Sequence, residues 1–156
     1  MAAHSPAGGS ESQHGLDTTS GCERAGFPLK MDTTDERPRM DTLNPSIIES
    51  WHAHVYFDAS SRETARALRD IIATELATRV ELGRFHERPV GPHPMWSYQL
   101  AFAPASFPDV VSWLALNHDG LDVFIHPNTG DELRDHRDGA LWLGRSHVLN
   151  LAALTE

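Results

Sequence analysis

Apolar positions fall into regular registers from about residue 47 onward and into none before it. Over 47–57, Ala53, Val55 and Phe57 alternate with His52, His54 and Tyr56, which predicts a strand. Ser60-Ser61-Arg62-Glu63 has the form of a capping box, with Ser60 bonding an amide of the first turn and Glu63 reaching back. The residues after it carry Ala65, Leu68, Ile72 and Leu76 on one face, predicting a helix over about 61–78. A second strand is expected over 80–87, closed by Pro89-Val90-Gly91-Pro92-His93-Pro94, and a third over 95–103. Ser106-Phe107-Pro108-Asp109 opens a second helix to 117, with Phe107, Val110, Val111 and Leu114 apolar and Gly120 placed to end it in the left-handed conformation. A fourth strand over 121–126 stops at the turn-forming Pro127-Asn128-Thr129-Gly130. An appendix follows, made of a short polar helix (132–137), residues 141–143 and an apolar 147–154.

The order β-α-β-β-α-β is the split βαβ pattern. The expectation is an α+β, ferredoxin-like domain: a four-stranded antiparallel sheet, two helices on one face and a C-terminal extension. Residues 1–45, rich in Gly, Ser, Thr, Pro and Asp, have too little periodic apolar surface to offset chain entropy and read as a disordered or loosely docked tail, leaving 46–156 as the folded domain.

Composition narrows the function. A length of 156 residues suits one domain, and a net charge of −9 disfavours a nucleic-acid or polybasic membrane-surface role. One cysteine, Cys22, leaves no intrachain disulfide and no Cys-rich zinc site. With no apolar run of membrane-spanning length and no secretory signal pattern, the expected location is the cytoplasm. Phosphate loops, nucleophile elbows and H-E-x-x-H are all absent.

Ten histidines are the unusual feature. Alternation sends His52, His54 and Tyr56 to the sheet face away from the helices, and the same reasoning on the fourth strand sends Phe124 and His126 there. First and fourth strands are neighbours in this architecture, so His52, His54 and His126 converge as a candidate metal set; imidazole suits Fe, Zn, Cu or Ni. A His-x-His pair alone is more often just two half-exposed side chains, and a third histidine facing the same way brings the metal reading level with that one. Arg84 and His86 share a face that alternation leaves open, and His93 is held between prolines. Arg84 and Arg88 are candidates to pair with a substrate carboxylate, and Tyr98 to wall an aromatic pocket. His118, His136 and the tail histidines read as structural or solvated. An exposed Phe124 on an open face argues for a homodimer.

Three segments, Trp51-His52-Ala53-His54-Val55-Tyr56-Phe57-Asp58, Pro89-Val90-Gly91-Pro92-His93-Pro94 and His126-Pro127-Asn128-Thr129-Gly130-Asp131, together with Leu149-Asn150-Leu151, resemble the fungal and bacterial DOPA 4,5-dioxygenase family over residues 47–154. The resemblance implies a commonly dimeric ferredoxin-like fold and extradiol cleavage of a catechol such as DOPA by O2 at a non-haem Fe(II). By position it makes His52, His54, His86, His93 and His126 the candidates for metal and acid–base roles, and the face assignment gives the metal to His52, His54 and His126, with the catalytic pair His86 and His93 closing the site. The usual iron site pairs two histidines with a carboxylate; Asp58, Glu87 and Asp131 are the candidates, and a three-histidine site is the alternative. Two other functions use the same architecture: a metal-free dimeric binding module and a cofactor-independent monooxygenase.

Overall fold

The computed structural model describes residues 41–155. The expectation of a disordered tail falls, for residues 1–40, outside the described residues. The described chain begins in exposed coil, and Asn44 caps a single 3-10 turn at Pro45–Ile47 through a 3.0 Å bond from the Ser46 amide.

Among the described residues five strands and three α-helices follow: β1 (Ser50–Phe57), α1 (Arg62–Glu75), β2 (Glu81–Leu82), β3 (Trp96–Phe102), α2 (Phe107–Asn117), β4 (Asp122–Asn128), α3 (Glu132–Arg137) and β5 (Leu141–Leu143). They form one antiparallel sheet in the order β2-β3-β1-β4-β5. The sheet has five strands rather than the expected four, because Leu141–Leu143, read as part of an appendix, pairs with Val123–Ile125 of β4.

The core lies on one face, where Ala53, Val55 and Phe57 of β1, Leu100 of β3 and Val123 and Ile125 of β4 meet Ala65, Leu68 and Ile72 of α1 and Val110 and Leu114 of α2. The period-2 and 3.6-residue patterns therefore selected the faces that are buried. Gly120, at φ +74°, follows α2 in the left-handed region as its position predicted.

Two local expectations are corrected. The first turn of α1 is organised by Asp58 rather than by Ser60 and Glu63: one Asp58 oxygen accepts from the amides of Ser60 and Ser61 (2.9 and 3.0 Å) and from both hydroxyls (2.6 and 3.0 Å). The second strand is two residues long. Gly83 still donates to Gln99 (2.8 Å) and His86 pairs with Ser97, so Arg84 and Phe85 together oppose Tyr98 alone. This bulge breaks the alternation that would tie Arg84 to the face of His86. Phe85 turns to the core, stacking on Phe57 at 4.3 Å, and His86 comes opposite Ser97, the neighbour of Tyr56 in β1.

The second sheet face is not open. The α3 helix crosses it, tethered by Asp135, whose buried carboxylate accepts from the Thr129 amide (2.7 Å) and hydroxyl (2.6 Å) at the end of β4. Phe124 is wholly buried beneath Trp142 (4.8 Å between ring centroids) and His136 (5.7 Å). The argument for a homodimer from an exposed Phe124 thus loses its premise, because the chain covers that ring itself.

Candidate metal centre

Strand register builds the centre. His52 is directly opposite His126 across the β1–β4 ladder, and His54 opposite Phe124, so all three imidazoles rise from one face within two residues of each other. One ring nitrogen from each of His52, His54 and His126 lies within 4.8 Å of the other two. Among the described residues this is the one such grouping of histidine, cysteine and carboxylate side chains.

One pair of the three already has the spacing of a shared ion. Two nitrogens each about 2.1 Å from a metal and about 90–110° apart would be separated by about 3.0–3.4 Å. Nε2 of His54 and Nε2 of His126 are 3.3 Å apart. His126 is further prepared, because its Nδ1–H donates to the Pro127 carbonyl at 2.8 Å, which leaves the Nε2 lone pair free. The donor set therefore suits a divalent transition metal with three imidazoles and open positions. The three carboxylates considered from the sequence are engaged elsewhere: Asp58 at the start of α1, Glu87 with Arg62 (2.7 Å) and Arg66 (3.3 Å), and Asp131 capping α3 through the Arg134 amide (3.1 Å).

Burial keeps these imidazoles neutral. It drives His54 well below the usual histidine value, with the neighbouring His93 and His126 adding to the effect. It lowers His126 to about 3, reinforced by His136, and lowers His52 in the same way. His93 is pushed down to about 4 by burial and then by His136. Neutral imidazole is the ligating form, so the set needs no deprotonation before it takes a metal at pH 7.

Beside the cluster lies a cavity of about 330 Å³, bordered by His54, Arg84, His86, Pro92, His93 and Gln99. That volume suits a small aromatic molecule. His93 stacks against His54 with centroids 3.9 Å apart, and Nδ1 of His93 lies 2.7 Å from the Tyr56 hydroxyl. Arg84 is exposed at the rim. Tyr98 also borders this cavity, while its buried ring packs with the helix-covered core, stacked on Phe85.

His136 is the functional candidate missed in the sequence. Its Nδ1–H donates to the Glu132 carbonyl (2.8 Å), and its ring sits 3.9 Å from that of His126 and 6.1 Å from that of His93. The signal was there in the i,i+3 spacing from half-buried Leu133, hidden within the charged run Arg134-Asp135-His136-Arg137-Asp138. His118 is remote from the cluster in role, bonding the Leu121 carbonyl at 2.6 Å.

Known proteins resemble this chain in sequence and in fold. A family model described as the Dopa 4,5-dioxygenase family matches residues 51–153. A DOPA 4,5-dioxygenase from Amanita muscaria is 37% identical over 131 residues, 78% of this chain and 58% of that protein. An uncharacterized 21.2 kDa protein from Botryotinia fuckeliana is 31% identical over 123 residues, 72% of this chain and 67% of its own length. The chain thus spans about 58% of the length of the Amanita relative. The crystal structure of a candidate dioxygenase from Nostoc punctiforme superposes with a TM-score of 0.68 at 46% identity, covering 73% of this chain and 97% of that one.

Proposed function

The chain belongs to the Dopa 4,5-dioxygenase family, and from that premise we propose that it is an extradiol dioxygenase on a ferredoxin-like scaffold, opening the ring of a catechol with O2 at a histidine-bound Fe(II). The observation that carries this reading is the convergence of His52, His54 and His126, with two Nε2 atoms 3.3 Å apart, beside a cavity lined by two further histidines.

The residues divide the work. His52, His54 and His126 would hold the ion, which when bound brings catecholate and O2 together so that electrons pass between them. Three imidazole ligands would leave coordination positions for both reactants. The His86 and His93 side chains border the cavity where the catechol would lie and are placed to exchange protons with its hydroxyls. Arg84 at the rim would meet a substrate carboxylate, as an amino acid such as DOPA carries. The face carrying these groups is covered by α3 and Trp142, which limits water around the reacting atoms. In extradiol cleavage the carbon–carbon bond next to the two hydroxylated carbons breaks and both atoms of O2 enter the product.

The test is anaerobic loading with Fe(II), addition of catechol or DOPA, and then O2. A yellow ring-opened product heavier than its substrate by both oxygen atoms is the expected result. Recovery of unreacted catechol from metal-loaded, folded protein would refute the reading.

A further inference from the structure

The Tyr56–His93 pair carries information about where a proton sits. Tyr56 is 1% exposed, and its hydroxyl is 2.7 Å from Nδ1 of His93, its one hydrogen-bond partner among the described residues. Were the imidazole Nδ1–H the donor, the phenolic hydrogen would be buried with no acceptor there. With the phenol donating, both groups are satisfied, and buried polar hydrogens are overwhelmingly paired. A neutral His93 that accepts at Nδ1 carries its proton on Nε2.

The imidazole is also held in place. His93 lies between Pro92 and Pro94, its amide donates to the Val90 carbonyl (3.2 Å), and the Pro92 carbonyl accepts from the Asn150 amide (2.8 Å). Its ring packs on His54 at 3.9 Å. Backbone, stacking partner and hydroxyl together fix which edge of the ring is used by Tyr56 and which is left.

Resting on the dioxygenase reading above, we propose that Tyr56 is a positioning residue that locks His93 in the Nε2–H tautomer, so that His93 gives the cavity a hydrogen-bond donor for an oxygen of the bound aromatic substrate. The proton-accepting role then passes to His86, which borders the same cavity. The two histidines cease to be interchangeable. A fixed donor aimed at an oxygen that gains negative charge lowers the barrier more than one that must first reorient.

Tyr56→Phe removes the hydroxyl and keeps the ring. The direct readout is ring-nitrogen NMR of the metal-free full chain labelled with 15N-histidine, the His93 signals being identified by their loss in His93→Gln. The wild type is expected to show the proton on Nε2 of His93, and Tyr56→Phe a mixture of tautomers. A proton on Nδ1 in the wild type, or an unchanged tautomer in the variant, overturns the proposal. In the Fe(II)-loaded protein acting on catechol, Tyr56→Phe is expected to lower kcat about tenfold or more while KM and metal affinity stay within about twofold. An unchanged kcat, or a loss that follows metal affinity, overturns it equally. If loaded wild-type protein leaves catechol intact, the dioxygenase reading fails, and the NMR experiment still decides the tautomer.

Discussion

At the scale of single residues, strict alternation along β1 and β4 was enough to place His52, His54 and His126 on one face, since neither strand is interrupted over those positions. It was not enough for Arg84 and His86. The extra residue in the bulge opposite Tyr98 reverses the face sequence, and Gly83 just before it is the only local mark of its place in the run 80–87. His136 escaped notice for another reason: a charged helical run looks solvated until the Thr129–Asp135 tether turns one side of it onto the sheet. The residue-scale expectations follow. His54→Ala should abolish stoichiometric metal binding in calorimetric titration while the circular dichroism spectrum is retained. His118→Ala should leave binding unchanged, because that imidazole serves the α2–β4 turn. His136→Ala should keep the metal, since His136 lies outside the three-nitrogen group, and should slow substrate turnover through loss of the ring packed on His126. Metal retained by His54→Ala would contradict the assignment.

Among the elements, β1, β3, β4 and both long helices were legible from period and from the turn and start signals between them, and the end of α2 from Gly120. The short helix α3 was read at its bounds, but the pairing of β5 and the course of the chain after it were not, because their stability is tertiary. Buried Asp122 accepts from the Arg145 amide (2.8 Å) and from Nε2 of His147 (2.7 Å), which anchors the chain after β5. Gly144 makes this possible at φ +79°, where an added Cβ would come 2.6 Å from Oδ1 of Asp122. Gly144→Ala should therefore destabilise the fold by about 1–3 kcal/mol, from left-handed strain plus displacement of the Asp122 side chain. Denaturant unfolding of the two proteins checks this. A loss no greater than that of an exposed surface substitution would show that the anchor contributes nothing.

For the whole molecule, burying several imidazoles ties stability to pH. Free histidine titrates near 6.5, whereas His93 is held at about 4 and His126 at about 3. As the pH falls below about 6.5 the unfolded chain takes up protons that the folded chain refuses, so stability falls with it until the folded values are reached. The limiting slope is about 1.4 kcal/mol per pH unit for each such imidazole. Melting of the metal-free protein should accordingly occur several degrees lower at pH 5 than at pH 7.5, and a melting temperature independent of pH over that interval would contradict the neutral, buried cluster. The same burial explains why the second sheet face is available for chemistry without a partner covering Phe124: α3 and Trp142 enclose the histidines from within the chain.

The claim on which the rest depends is that His52, His54 and His126 bind one metal ion together. X-ray absorption of the Fe(II)-loaded protein tests it most directly. The expected spectrum shows imidazole multiple scattering from three ring ligands at one iron per chain, reduced to background when His54 is replaced by Ala. An oxygen-only shell with no imidazole contribution, in protein that remains folded, would contradict it.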